Sequence, residues 1–191
     1  MTRIISGTAR GQRLDVPTSG TRPTSDRIRE ALFSSLNSWL LSASKSWTEV
    51  SFVDLFAGSG AAALEAASRG ARRVTAVESS LPAVKVINKN MQRLKLSVSV
   101  ARADVLTWMP SMPVDIIFID PPYDAADHYV GELVGKLSTD SHMADTLFVV
   151  ERGVRSNSPL SEIDPSRISE SWDRTYGDSR LWYGHHVGGE K

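Results

Sequence analysis

The 191-residue chain contains no cysteine, which excludes disulfide scaffolds and thiolate metal sites. It has no excess charge of either sign, since 22 basic residues balance 22 acidic ones. No apolar run approaches membrane-spanning length, and the start, MTRIISGTAR, lacks the apolar stretch of a secretion signal. A cytoplasmic protein without a membrane partner is expected. The four histidines, His128, His142, His185 and His186, show no metal-ligand spacing. No metal is therefore expected, and each histidine is assigned to the surface or the tail. Neither a Gly-x-Ser-x-Gly elbow nor a Walker sequence occurs. What is present, 41% hydrophobic and 23% charged residues, suits one globular domain with a sizeable core and excludes disorder, collagen and coiled coil.

The zero net charge conceals an asymmetry. Residues 1–30 carry Arg3, Arg10, Arg13, Arg22, Arg27 and Arg29 against Asp15, Asp26 and Glu30, a local balance of +3. Arginine pairs with phosphate through two parallel hydrogen bonds, so this end points to a polyanion; a solvated surface strand and turn is the alternative.

Two short runs, Arg3–Ile5 and Arg13–Val16, flank a Gly7–Gly11 turn and predict a hairpin. From Thr24 to Leu40, Ile28, Leu32, Leu36 and Leu40 recur every four residues, which predicts a helix with N-cap candidates just after Pro23. Beyond residue 51, strands alternate with helices. The predicted strands are Phe52–Phe56, Val74–Glu78, Val98–Ala101, Asp115–Asp120 and Leu147–Glu151, several of them continuous apolar runs of the kind buried in parallel sheets. Ile168–Tyr176 and Arg180–His186 flank Gly177-Asp178, a hairpin dipeptide, and bring the number of strands in the sheet to seven. Repeated β-α units imply an open α/β sheet whose ligands bind at the carboxyl ends of the strands. Trp172, Trp182 and Tyr183 alternate with polar residues in the final pair and are expected to pack rather than to stack on a base.

The first candidate site is Asp54-Leu55-Phe56-Ala57-Gly58-Ser59-Gly60, where a predicted strand runs into a glycine turn and then a small-residue helix. Such a turn lets the backbone of Phe56, Ala57, Gly58, Ser59 and Gly60 approach a ligand and aims helix N–H groups at it. Gly58-x-Gly60-x-x-Ala63, with Glu78 twenty residues after Gly58, satisfies a nucleoside-cofactor fingerprint without choosing between NAD and S-adenosylmethionine. A carboxylate at Glu78 can accept both ribose hydroxyls. Asp54, an acid inside an apolar strand, needs a polar partner, which either the cationic amino group of S-adenosylmethionine or loop N–H groups could supply. Asp104, after the third strand, could accept from an adenine amine or cap the next segment.

The second site is Asp120-Pro121-Pro122-Tyr123 at the end of the apolar run Asp115–Ile119. Two prolines fix a rigid turn without backbone donors, and an ionised Asp only accepts hydrogen bonds. Asp120 and the Pro121 carbonyl therefore suit an NH2 group offering two hydrogens, with Tyr123 placed to stack on its ring. Accepting both N–H bonds draws the amine nitrogen towards a tetrahedral geometry and favours attack on a methyl placed in line.

On these motifs the sequence resembles the bacterial RsmD family of 16S ribosomal RNA guanine-N2 methyltransferases. Arg10-Gly11, the stretch Thr21-Arg22-Pro23-Thr24-Ser25-Asp26-Arg27-Ile28-Arg29-Glu30, the Asp54–Gly60 loop, Ser68-Arg69-Gly70-Ala71 and Asp120–Tyr123 carry the resemblance. It implies a Rossmann-like class I methyltransferase: an α/β fold with a mostly parallel seven-stranded sheet, a terminal antiparallel hairpin and a short N-terminal hairpin and helix extension. Residues 1–191 would form one domain, with residues 1–40 as a basic extension and residues 51–191 as the catalytic core. The implied cofactor is S-adenosylmethionine, and the implied target is a guanine of 16S RNA, usually guanine 966, within the 30S subunit or a late assembly particle. In this reading Asp120, Pro121, Pro122 and Tyr123 form the catalytic pocket, and Arg10, Arg13, Arg22, Thr24, Arg27 and Arg29 face RNA. The enzyme is expected to act as a monomer. Three other readings compete: an amino-methyltransferase acting on DNA adenine, protein glutamine or a small molecule; an NAD-dependent dehydrogenase; and a catalytically silent RNA-binding assembly factor. The dehydrogenase reading leaves Asp120–Tyr123 unexplained.

Overall fold

Strand β1 (Ser51–Leu55) is buried along its whole length, and its side chains divide between two apolar layers. Phe52 packs into one, Val53 and Leu55 into the other. The computed structural model describes residues 2–17 and 26–186. Six further strands follow: β2 (Arg73–Glu78), β3 (Ser99–Arg102), β4 (Ile116–Ile119), β5 (Thr146–Gly153), β6 (Ile168–Tyr176) and β7 (Ser179–His186). They form one sheet of order β3-β2-β1-β4-β5-β7-β6. The first five are parallel; β7 runs antiparallel to both of its neighbours. The chain leaves β1 towards β2 and β3, then returns to β1's other side with β4. That reversal opens a crevice above the carboxyl ends of β1 and β4.

Among the described residues, four α-helices cover the sheet: α1 (Asp26–Ser42), α2 (Ala61–Ser68), α3 (Leu81–Leu94) and α4 (Asp127–Ser138). Leu32, Phe33 and Leu36 of α1 and Ala63 and Leu64 of α2 share a core with Phe52, Phe118, Leu147, Leu181 and Tyr183. Val130, Leu133 and Leu137 of α4 meet Leu55, Ile117, Ile119, Phe148 and Val150 on the opposite face. Each fully buried Leu or Phe contributes about 1.5–3 kcal/mol, so both layers are strongly held. The small residues of α2 let it lie close on the sheet, which brings its first turn to the glycine loop. No helix among the described residues is long and apolar enough to cross a membrane.

The sequence places the strands correctly but differs in detail. Phe56, assigned to the end of β1, has a left-handed backbone (φ 62°) and already belongs to the loop. Ala126 is the extended N-cap of α4. The N-terminal hairpin reduces to a single antiparallel bridge, Arg3 with Arg13, flanked by the Ile4 and Leu14 N–H groups bonding the Gln12 and Thr2 carbonyls. Turns closed by Arg10 to Gly7 and Gln12 to Ala9 interrupt the pairing beyond it. His186 lies in the tail hairpin, as expected, but it is buried there: it is 2% exposed, and its ring Nδ1 bonds the Met143 carbonyl at 2.8 Å. As expected, Tyr183 packs in the core, with its ring stacked 4.9 Å from Trp172.

Candidate active site

Above the reversal point lies a cavity of about 740 Å³, and both sequence motifs open into it. Its floor follows from strand alternation. Asp54 pairs in register with Phe118 on the sheet face that α1 and α2 cover, and Asp120, two residues beyond Phe118, lines the same cavity near enough for the two charges to interact. Asp120 follows the last β4–β5 pair, Ile119 with Val150, and lines the cavity together with Glu151.

The glycine loop curls through three left-handed residues: Phe56 at φ 62°, Gly58 at 55° and Gly60 at 76°. Glu78 fixes this shape. One of its carboxylate oxygens accepts the Gly58 N–H at 2.8 Å and the other the Ser80 N–H at 2.7 Å. A carboxylate has about four lone-pair sites, so acceptor capacity remains for two hydroxyls.

Asp54 lies at the bottom of the cavity, 2% exposed, and accepts the Ala63 N–H in the first turn of α2 at 2.9 Å. Of the two partners considered from sequence, the backbone one is therefore in place. Burial pushes the Asp54 carboxyl up to about 8; the Ala63 N–H opposes that rise, and the nearby Asp120 and Glu78 charges add to it.

Asp104 caps its own turn by accepting the Leu106 N–H at 2.9 Å. It also borders a smaller cavity of about 80 Å³ together with Phe56, Glu78, Val105 and Tyr129. Burial, then the Asp104 charge, raises the Tyr129 hydroxyl above its usual value. Tyr129 was not singled out in the sequence, because nothing local distinguishes it from the apolar stripe of α4.

After β4, Asp120 is half-buried, Pro121 is buried, and Tyr123 is 86% exposed at the cavity mouth. The Ala125 N–H returns to the Pro122 carbonyl at 2.9 Å and closes the turn. The far wall is made of Glu151 and Gly153 from β5 and Tyr176, Asp178 and Ser179 from the β6–β7 turn. Sequence reasoning missed this wall: Gly177-Asp178 marks a turn but not the strand end it faces.

A family model described as Conserved hypothetical protein 95 matches residues 2–185. Ribosomal RNA small subunit methyltransferase D of Escherichia coli (strain K12) is 35% identical over 162 residues, 82% of this chain and 77% of that one. The chain belongs to this family, the RsmD family. Among solved structures, the putative methyltransferase yhhF from Escherichia coli matches with a TM-score of 0.80 at 30% identity, covering 98% of both chains. A Thermus thermophilus 16S rRNA N2 methyltransferase (RsmC), solved with AdoMet and guanosine, matches with a TM-score of 0.66 at 20% identity, covering 87% of this chain and 44% of that one. The RsmD-family chain thus has the class I methyltransferase fold.

The RsmD resemblance assigned six N-terminal residues to RNA. Arg27 lines the cavity, on α1 next to Ile28. Arg10 and Arg13 are exposed on the N-terminal segment. Arg22 and Thr24 lie outside the described residues. Arg29 needs correction, because it is fully buried. Its Nη2 donates to the Arg3 carbonyl and, at 3.0 Å, to Asp26, so it braces the extension from inside and presents nothing to a phosphate. The four-residue period of α1 already put Arg29 next to the apolar stripe at Ile28, Leu32 and Leu36.

Proposed function

We propose that this RsmD-family protein transfers a methyl group from S-adenosylmethionine to the exocyclic N2 of a guanine in 16S ribosomal RNA. The observation that carries the reading is the shared cavity, which Asp120 lines together with Asp54, Gly58 and Glu78.

The residues present fit the cofactor. Glu78 keeps acceptor capacity for the ribose hydroxyls, Asp54 faces the same cavity for the amino group, and Asp104 borders the smaller recess for the adenine amine. The loop Phe56-Ala57-Gly58-Ser59-Gly60 lets the backbone come close. When bound, S-adenosylmethionine supplies an electrophilic methyl on a good leaving group. The protein's part is orientation: Asp120 and the Pro121 carbonyl accept the two N–H bonds of the amine, and Tyr123 covers the ring. Holding the amine in line accounts for most of the rate, since little acid–base help is required.

A guanine amine inside a helix is out of reach of such a pocket, so the target base is looped or flipped out. The chain acts as a single methyltransferase domain and a monomer, with the 30S subunit or a late assembly particle as substrate and Arg10, Arg13 and Arg27 towards RNA. Guanine 966 is the position to examine first.

The test is transfer of labelled methyl from S-adenosylmethionine to 30S particles that lack this modification, comparing wild type with Asp120→Ala. Labelled N2-methylguanine from the wild type alone is the expected result. Cofactor binding without transfer to 30S particles, but with transfer to DNA, a peptide or a small amine, would move the protein to another amino-methyltransferase class.

A further inference from the structure

An arginine at the edge of a cavity that receives RNA is ordinarily read as a phosphate contact. Arg152, near the end of β5, lines the cavity, yet it is only 8% exposed and its guanidinium is engaged elsewhere. Its Nη2 donates to the Ala125 carbonyl at 2.6 Å and to the Asp127 carboxylate at 2.8 Å. The other Asp127 oxygen accepts the Asn157 N–H at 3.3 Å. The Arg152 guanidinium is also the main cause holding the Asp127 carboxyl below its usual range.

Ala125 and Asp127 are the closing end of the loop that carries Asp120, Pro121, Pro122 and Tyr123. That loop has few attachments of its own, because two of its residues are prolines without an N–H. It leaves β4 at Ile119, turns through the Ala125–Pro122 hydrogen bond, and enters α4 at Asp127. Fixing the Ala125 carbonyl therefore fixes the turn, and with it Tyr123, whose Cε2 would lie 3.9 Å from a Cβ placed on Gly153. Just past β5, the Val154 N–H bonds the Asp178 carbonyl at 3.0 Å. Both walls of the base-binding half are thus tied to one strand end.

We infer that Arg152 is a positioning residue: by bridging Ala125 and Asp127 it sets the base-binding loop over the cavity, and it makes no phosphate contact. The inference rests on the methyl transfer proposed above.

The experiment compares Arg152→Ala and Arg152→Lys with wild type in steady-state transfer to 30S particles, together with cofactor binding, RNA binding against salt, and hydrogen exchange over residues 123–127. Misplacing a reacting group by about 1 Å can cost on the order of a hundredfold, so Arg152→Ala is expected to lower kcat at least about tenfold. Cofactor affinity, RNA affinity and its salt slope should stay within about twofold, since none of those contacts is removed. One nitrogen makes both bonds, so a lysine ammonium should restore much of kcat. The loop amides should exchange faster in Arg152→Ala and recover in Arg152→Lys. Adding Asp127→Asn to Arg152→Ala should cost little more, because the two residues act as one unit.

An unchanged kcat with unchanged exchange would overturn the inference. A lower salt slope with weaker RNA binding would do so too, by making Arg152 a phosphate contact. So would equal loss of cofactor affinity and melting temperature, which would make it a general structural support. Hydrogen exchange reads the loop without any substrate. If the wild type fails to methylate 30S particles while the loop loosens in Arg152→Ala, the functional reading has failed and the positioning role stands.

Discussion

The Glu65 carboxylate in α2, with no exposed surface, accepts the backbone N–H of Ile5 at 2.7 Å. Its second oxygen accepts the Ser6 N–H at 3.0 Å and the Arg69 side chain at 2.8 Å. The helix that begins at the glycine loop therefore also carries the basic N-terminal segment. Ser68 extends the seam: its hydroxyl accepts from the Ala9 N–H at 2.9 Å and donates to the Ser6 carbonyl at 2.6 Å. Asn90 of α3 holds the far end, exchanging hydrogen bonds with the Asp15 backbone at 2.9 Å in both directions. Residues 2–15 are thus fastened to α2 and α3, the two helices that follow the glycine loop and Glu78.

Removing the Glu65 carboxylate leaves two backbone donors and Arg69 without their acceptor in a buried place. Breaking such a buried set by deleting one partner costs about 3–5 kcal/mol. Glu65→Ala should lower the thermal midpoint, and amide exchange at Ile5 and Ser6 should accelerate more than exchange in β1. Equal acceleration throughout the chain would mean that the segment is not a separate unit.

Gly7 makes the closest approach along this seam. A Cβ there would stand 1.8 Å from the Ser68 carbonyl oxygen, on a backbone with φ +83°. Gly11 has a similar φ of +80° but nothing within 4 Å of its Cβ position. Both substitutions to alanine carry the left-handed backbone cost of about 1–2 kcal/mol, and only Gly7→Ala adds a steric clash. Gly7→Ala should therefore destabilise clearly more than Gly11→Ala by denaturant unfolding. Equal effects would show that the segment shifts freely away from α2.

Much of this architecture is legible in the sequence, for a physical reason. Strands buried on both faces, such as Ile116–Ile119, need unbroken apolar runs, and the turn after β1 needs glycines in left-handed positions. The Asp120–Tyr123 motif and Glu78 could be placed because both sit at strand ends. The seam made by Glu65, Ser68 and Asn90 was not legible, since polar residues on a helix look alike whether they face water or another segment. Arg29 shows the converse: its charge suggested an RNA contact, whereas its position on α1 buries it. The far wall of the cavity depends on β7 lying beside β5, which no local pattern records.

The arginines can be separated by salt. Arg10 and Arg13 are exposed and Arg29 is buried, so their replacement by alanine should read differently. Each lost phosphate contact should reduce the slope of log affinity against log salt by about 0.7–0.9. Arg10→Ala and Arg13→Ala should flatten that slope with little change in melting temperature. Arg29→Ala should lower the melting temperature and leave the slope of the folded protein intact. An unchanged slope in the first two variants would remove them from the RNA interface.

If Asp54 holds the cofactor's amino group as proposed, cofactor binding should have a pH dependence of definite sign. Its carboxyl, pushed up to about 8 by burial, holds a proton at pH 6–7.5 before the cofactor arrives. A cationic amino group beside it favours the carboxylate, so binding must release that proton, and affinity rises with pH. The gain is up to about tenfold per pH unit, because each unit of pKa shift corresponds to about 1.4 kcal/mol. Measurements should stay below about pH 7.7, where the cofactor's own α-amino group has lost up to about half of its charge. Calorimetric titration of S-adenosylmethionine should show tighter binding at pH 7.5 than at pH 6, with proton release in both. Asp54→Asn has no proton to release and should bind with a flat profile. 5′-Methylthioadenosine, which lacks the amino group, should give a flat profile with the wild type. A rising profile that persists in Asp54→Asn would place the titrating group elsewhere in the cavity.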